Sequence, residues 1–137
     1  MEWMLMPLKR YAEFDGRSRR MEYWMFTLGY WIVLTIWVVL SFLVGALIRG
    51  REGDDFAVGM MLIGIVVIVL GLFIPSLAVS IRRLHDQGKS GWFYLISFIP
   101  YVGGIILLVL MCIAGDEGEN EYGPDPKLPG YDEDVFA

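Results

Sequence analysis

Residues 56–81 read FAVGMMLIGIVVIVLGLFIPSLAVSI, a run of apolar and small residues without one charged side chain. A helix rises about 1.5 Å per residue, so about twenty such residues cross a hydrocarbon core of about 30 Å. This run is longer than that. Residues 23–48 before it and 92–114 after it have the same character. All 27 formal charges of the 137-residue chain, 11 Lys plus Arg and 16 Asp plus Glu, fall outside the three runs. A charge left at bilayer depth costs about 3 kcal/mol or more, which explains such segregation. With 56% hydrophobic residues and a mean hydropathy of +0.55, a chain this short has too much apolar surface for an aqueous core. The expected fold class is an all-α membrane protein. Three transmembrane helices, at about 23–48, 56–81 and 92–114, make one domain over 23–114. A short interfacial amphipathic segment precedes it over 1–22, and an irregular, acidic, solvent-exposed tail follows over 115–137.

The flanks set the expected orientation. Residues 1–22 carry Lys9, Arg10, Arg17, Arg19 and Arg20, and the loop 82–91 carries Arg82, Arg83 and Lys89; only Arg49, Arg51 and Lys127 remain for the other side. Basic residues near span ends are retained in the cytoplasm, so the N-terminus is predicted cytoplasmic and the C-terminus outside. No apolar segment resembling a cleavable signal precedes residue 23, and the first run is expected to act as the insertion signal. The pI of about 4.7 belongs to the tail, which holds eight carboxylates against Lys127 alone. Such a segment repels nucleic acid and has little to bury. Its Asp116, Glu117, Glu119 and Asn120 suggest a calcium loop, but Glu121 stands where an EF-hand needs its turning Gly. Before the first run, Trp3, Met4, Leu5, Leu8, Tyr11 and Phe14 alternate with charges at roughly helical spacing, and a short interfacial helix is expected from about Pro7.

Small residues mark where the spans can approach one another. Ala57, Gly64, Gly71 and Ala78 recur every seven residues, and Ser41 and Gly45 form a second small surface. Pro75 cannot donate to the Gly71 carbonyl, so a kink is expected there and the freed carbonyl is open to a neighbouring hydroxyl or water. A stripe left unused would support a homo-oligomer or a membrane-protein partner.

The chemically richest piece is residues 82–92, RRLHDQGKSGW, which places the single histidine among basic residues and a carboxylate. Arginines suit the C-terminal end of the second helix, Gly88 suits a left-handed turn, and Ser90 suits the cap of the next helix. The functional alternative is an anion or lipid-headgroup site built from Arg17, Arg20, Arg82, Arg83, His85 and Lys89. In that arrangement Glu22, Asp86 and Ser90 form a structural polar network, with Glu22 answering a loop arginine and Arg17, Arg19 or Arg20 answering Asp86. No catalytic residue, metal or cofactor is assigned. A metal needs more ligands than His85 and Asp86 supply, and Ser90 lacks a nucleophile elbow. A proton relay needs an ionisable group within a span, and none is there.

Three ordered stretches carry a resemblance: YAEFDGRSRRMEYW at 11–24, RRLHDQGKSGW at 82–92 and GDEGENEYGPDP at 115–126. They are similar to the F-x-G-R-x-R-R-x-E-[FY]-W, R-R-L-H-D-x-x-x-S-G-W and G-x-x-G-x-N-x-Y-G-x-D-P patterns of the bacterial domain-of-unknown-function 805 inner-membrane family. The resemblance implies a small multi-pass protein of the bacterial cytoplasmic (inner) membrane and supplies no activity. The expected function is non-enzymatic: a membrane binding or scaffold protein offering a basic cytoplasmic patch to anionic lipid headgroups or a partner protein. The alternative is a transporter or channel component formed by oligomerisation around the kinked second helix.

Overall fold

The computed structural model describes residues 2–48 and 51–128, including all their side chains except those of Glu2, Trp3, Arg51 and Glu52. The expected position of Trp3 and the tail residues 129–137 lie outside that description. Four α-helices and one 3-10 helix follow in order: α1 (Glu2–Lys9), α2 (Arg20–Leu47), α3 (Arg51–His85), the 3-10 helix (Gly91–Phe98) and α4 (Gly103–Cys112). Among the described residues there is no strand, only an isolated bridge between Asn120 and Gly123.

α2 and α3 are both long and apolar enough to cross a membrane. Their 28 and 35 residues correspond to about 42 and 52 Å, more than a 30 Å core requires. Only 11% of the most apolar window of each is buried within the protein. Side chains such as Trp31, Ile36, Ile63, Val67 and Leu70 face outward instead. A core helix of a water-soluble domain would hide these faces; a helix in hydrocarbon has no reason to.

The small residues let these two helices meet. Trp37 lies on Gly64 so closely that an added Cβ would collide with the indole, and its Nε1–H donates to the Met60 carbonyl at 3.3 Å. Ser41, Gly45, Ala57 and Ala78 are buried. Most of the small-residue stripe is thus used within the chain, while Gly71 faces open space. α3 continues through Pro75 without a break, and the carbonyl that Pro75 frees accepts the Tyr11 hydroxyl at 2.6 Å. α1 begins earlier than expected, with Pro7 near its end rather than its start. It lies along α2 with Met6 fully buried and Met4 against Gly29.

The third expected span is corrected. Residues 92–114 do not form one helix: the 3-10 helix stops at Phe98, the chain turns through Pro100 and Tyr101, and α4 begins at Gly103. Pro100 brings no N–H and holds Ile99 extended, at φ −72° and ψ 118°. Tyr101 takes a left-handed φ of 66°, which no continuing helix accommodates. The two arms reach about 16 and 15 Å, roughly half a hydrocarbon core each. Both arms start and finish at the same end of α3. Ser90 caps the entry, and on the exit side Arg83 donates to the Met111 and Ile113 carbonyls. The hairpin therefore turns back on itself, carrying exposed Phe98 and Tyr101 at its tip.

A second correction follows directly. Residues 115–128 lie against the His85 hairpin, not at the opposite end of α3, because the segment before them turns back to the end it left. Nor is this part of the tail merely solvated: Asp125 and Pro126 are buried, and the Asp116 N–H donates to the Asp86 carbonyl at 2.7 Å.

Candidate functional site

The end of α3, the stretch 15–22, the exit from α4 and the tail converge on five charged side chains. Arg17, Glu22, Arg82, Arg83 and Asp86 are each no more than 1% exposed. Charged residues are almost never this deeply buried unless they are paired. Helical spacing accounts for part of the arrangement. Arg83 and Asp86 lie three residues apart at the end of α3, so Arg83 Nη1 reaches Asp86 Oδ2 along one face. Arg17, arriving from before α2, donates from Nε to Asp86 Oδ1 at 3.0 Å. One residue earlier in α3, Arg82 turns toward α2, where Nη2 meets Glu22 Oε1 at 3.0 Å and Nε meets the Ser18 hydroxyl at 2.9 Å.

Three guanidinium groups face two carboxylates, and backbone carbonyls accept the remaining N–H groups. Arg17 donates to the carbonyls of Asp116, Gly118 and Gly123 in the tail. Arg82 donates to those of Arg10 and Glu13, and Arg83 to those of Met111 and Ile113. A guanidinium has five donors in a fixed fork, so one arginine can join three separate segments in this way. Burial pushes the Asp86 carboxyl up, against the downward pull of Arg83 and Arg17. Close approach matters here too: a Cβ at Gly115 would strike the Asp86 carboxylate. Glu22 Oε2 is buried without a hydrogen-bond partner among the described residues.

The expected anion site is therefore corrected in composition. Arg17, Arg82 and Arg83 are committed to internal carboxylates and carbonyls and present no surface for a headgroup. His85 is also buried, with its ring stacked on Tyr122 at a centroid distance of 4.0 Å and Nδ1 3.3 Å from the Gly16 carbonyl. Arg20 remains exposed, bonded to the Cys112 carbonyl at 3.3 Å, and Lys89 is half-buried beside Gln87. Ser90 stands apart from the ion cluster and caps the 3-10 helix by accepting the Trp92 N–H at 3.4 Å. Gly88, at φ 63°, makes the turn between α3 and that helix.

Several residues contribute in roles not assigned to them from the residues alone. Gln87 donates to the Leu110 carbonyl, Asn120 Nδ2 to the His85 carbonyl at 3.0 Å, and Arg19 to the Pro126 carbonyl. Asp125 holds the tail in shape by accepting the N–H groups of Gly118 and Lys127 at 3.0 and 2.9 Å. The signal that could have found them was the third ordered motif, which contains Asn120, Tyr122, Gly123, Asp125 and Pro126 and recurs alongside the other two.

The model of the family described as "Protein of unknown function (DUF805)" matches residues 11–124, the stretch that holds the cluster and its tail. Inner membrane protein YhaH of Escherichia coli (strain K12) is 43% identical over 134 residues, covering 93% of this chain and 98% of that protein. Inner membrane protein YhaI of the same strain is 43% identical over 128 residues with the same coverage. Uncharacterized protein YiiR is 26% identical over 146 residues, covering 88% of this chain and 90% of its own. No solved structure matches. With a family model spanning most of its length and two relatives matched nearly end to end, the chain belongs to the DUF805 family of proteins of unknown function.

Proposed function

We propose that the chain is a non-enzymatic inner-membrane scaffold, crossing the bilayer twice and carrying a rigid cytoplasmic cap whose rim binds anionic headgroups. The names of YhaH and YhaI support the location. Charge supports the orientation. Nine of the eleven lysines and arginines fall on the side of the cap once residues 115–128 are counted there, leaving only Arg49 and Arg51 where the chain passes from α2 into α3. The use of His85 and the buried arginines as structural ties supports a role other than catalysis.

The observation that carries the proposal is the pairing of an exposed and a half-buried cation, Arg20 and Lys89, with exposed indoles around a closed cluster. Arg20 and Trp24 line one shallow depression with Met21 and Met25, and Lys89 lies three residues before the mostly exposed Trp92. An indole settles at headgroup depth, and each nearby cation adds about 1 kcal/mol of attraction to an anionic surface. The test is lipid retention in nanodiscs of phosphatidylcholine with increasing phosphatidylglycerol. Wild-type protein is expected to enrich the anionic lipid several-fold at low salt and to lose that enrichment at high salt. The double variant R20A/K89A should show little enrichment at any salt concentration. Equal enrichment by the double variant overturns the proposal.

A further inference from the structure

His85 has a second face that the cluster does not use. A cleft of about 390 Å³ opens between the last turns of α3 and the 3-10 helix, lined by Leu77, Ile81, His85, Ser90, Trp92 and Leu95 among others. Its floor is apolar, and its polar groups gather at one end, beside the half-buried turn 89–91. A cleft of this size and polarity suits an amphiphile better than a hydrophilic solute.

The chemistry of the polar end is specific. A carbonyl oxygen can only accept, so His85 Nδ1 must donate to Gly16 at 3.3 Å. His85 lies beyond the uncharged run 56–81, and burial holds it below its ordinary pKa. The neutral ring with Nδ1–H leaves Nε2 a bare acceptor. His85 as a residue is about nine-tenths buried, and its Nε2 lies beside Gly91 at the cleft with no hydrogen-bond partner among the described residues. Ser90 Oγ accepts the Trp92 N–H, and no acceptor is present among the described residues for its own O–H. Asp15 and Glu121 lie close enough to act on His85 with negative charge. An unused acceptor in a negative field calls for a cationic donor, and an unused hydroxyl nearby calls for an acceptor.

We infer that the cleft binds one phospholipid whose headgroup carries a primary ammonium. The ammonium N–H donates to His85 Nε2 in the field of Asp15 and Glu121, a phosphate oxygen accepts from Ser90, and an acyl chain lies over Leu77, Ile81 and Leu95. Because the inference uses neither Arg20 nor Lys89, it stands or falls separately from the anionic rim.

The experiment is native mass spectrometry of the full chain, delipidated in mild detergent and titrated with phosphatidylethanolamine, phosphatidylcholine or phosphatidylglycerol. Phosphatidylcholine has a cationic headgroup without N–H, and phosphatidylglycerol offers hydroxyls without a cation. The expected first adduct favours phosphatidylethanolamine at least fivefold over each of the others. H85F keeps a ring against Tyr122 and should abolish the preference; L95W, on the exposed wall, should lower occupancy without touching the ion cluster. R20A/K89A should leave the preference intact. Equal binding of phosphatidylcholine, stronger binding of phosphatidylglycerol, a preference that persists in H85F, or undiminished occupancy in L95W overturns the inference. If H85F does not fold, L95W decides alone.

Discussion

Along the uncharged run of α3, Val66, Val67 and Leu70 are all more than half exposed, whereas Arg82, Arg83 and Asp86, one to five residues beyond its end, are almost wholly sealed. One helix therefore presents two surfaces built on opposite rules. In the apolar part, the solvent that accepts the side chains is hydrocarbon, and contact between α2 and α3 needs only a close fit of small residues against Trp37. In the cap, the structure is joined by charged and polar groups removed from water. Such groups contribute little net stability compared with an apolar substitute, but losing one partner is costly because it strands the other. The difference predicts where the molecule is brittle.

The largest effect is expected at Asp86. Replacing it with Asn keeps the shape and leaves Arg17 and Arg83 facing a neutral amide. The expected loss is about 3–5 kcal/mol, read as a lowered thermal unfolding midpoint in detergent. The control is Val67→Ala on the outward apolar face, expected to move stability by less than about 0.5 kcal/mol. If the two variants unfold alike, the contrast between the regions is wrong. The same logic applies to Glu22 and Arg82. Glu22→Arg and Arg82→Glu should each reduce abundance in the membrane, and the pair together should recover part of it. Recovery stays incomplete because a carboxylate cannot replace the arginine's donations to Ser18, Arg10 and Glu13.

Smaller losses are expected where the spans touch. Gly64→Val drives a side chain into the Trp37 indole and should cost about 1–3 kcal/mol. Gly59→Ala, with nothing within 4 Å of the new methyl group, should be neutral or slightly stabilising. Proteolysis or unfolding midpoints of the two variants separate them. A penalty at Gly59 as large as that at Gly64 would point to a second chain on the outer face of α3, since no described residue of this chain meets a methyl there. Tyr11→Phe removes the hydroxyl that answers the Gly71 carbonyl, an expected loss of about 0.5–1.5 kcal/mol.

These residues also show what could be read before any coordinates. Two spans were legible because uninterrupted apolar length is itself the physical requirement. Residues 92–114 satisfy the same composition yet form two short helical arms instead of one long helix. Hydropathy sums over a window and does not register that Pro100, Tyr101 and Gly103 interrupt the backbone. Part of the ion cluster was legible from charge complementarity on one side of the membrane, which brought Glu22 to a loop arginine and one of Arg17, Arg19 and Arg20 to Asp86. The identity of the arginines that stay exposed was not, because burial depends on carbonyls supplied by segments distant in the chain. The tail was misjudged for a related reason. Its Gly, Pro, Asp and Glu content promises nothing to bury, but it docks through backbone carbonyls, Asn120 and the Tyr122 ring, none of which hydropathy counts.

The smallest expected effect tests whether that tail is a separable part of the cap. Asp125 accepts two backbone N–H groups, and the bond from Lys127 does most to hold its carboxyl below the ordinary value of 3.8. A carboxyl with a lowered native pKa contributes stability that is fully present above the unfolded value and is lost as pH falls through the native one. Hydrogen-exchange protection of residues 115–128 should hold from neutral pH down to about that ordinary value and fall below it. In Asp125→Asn the amide oxygen keeps one acceptor and removes the titration, so weaker protection independent of pH is expected over the same range. Protection along residues 23–47 of α2 and the apolar run of α3 should not change, since neither stretch contains a carboxylate. If those helices loosen together with the tail, the two regions are one cooperative unit, and the division between a lipid-packed part and a charge-joined cap disappears.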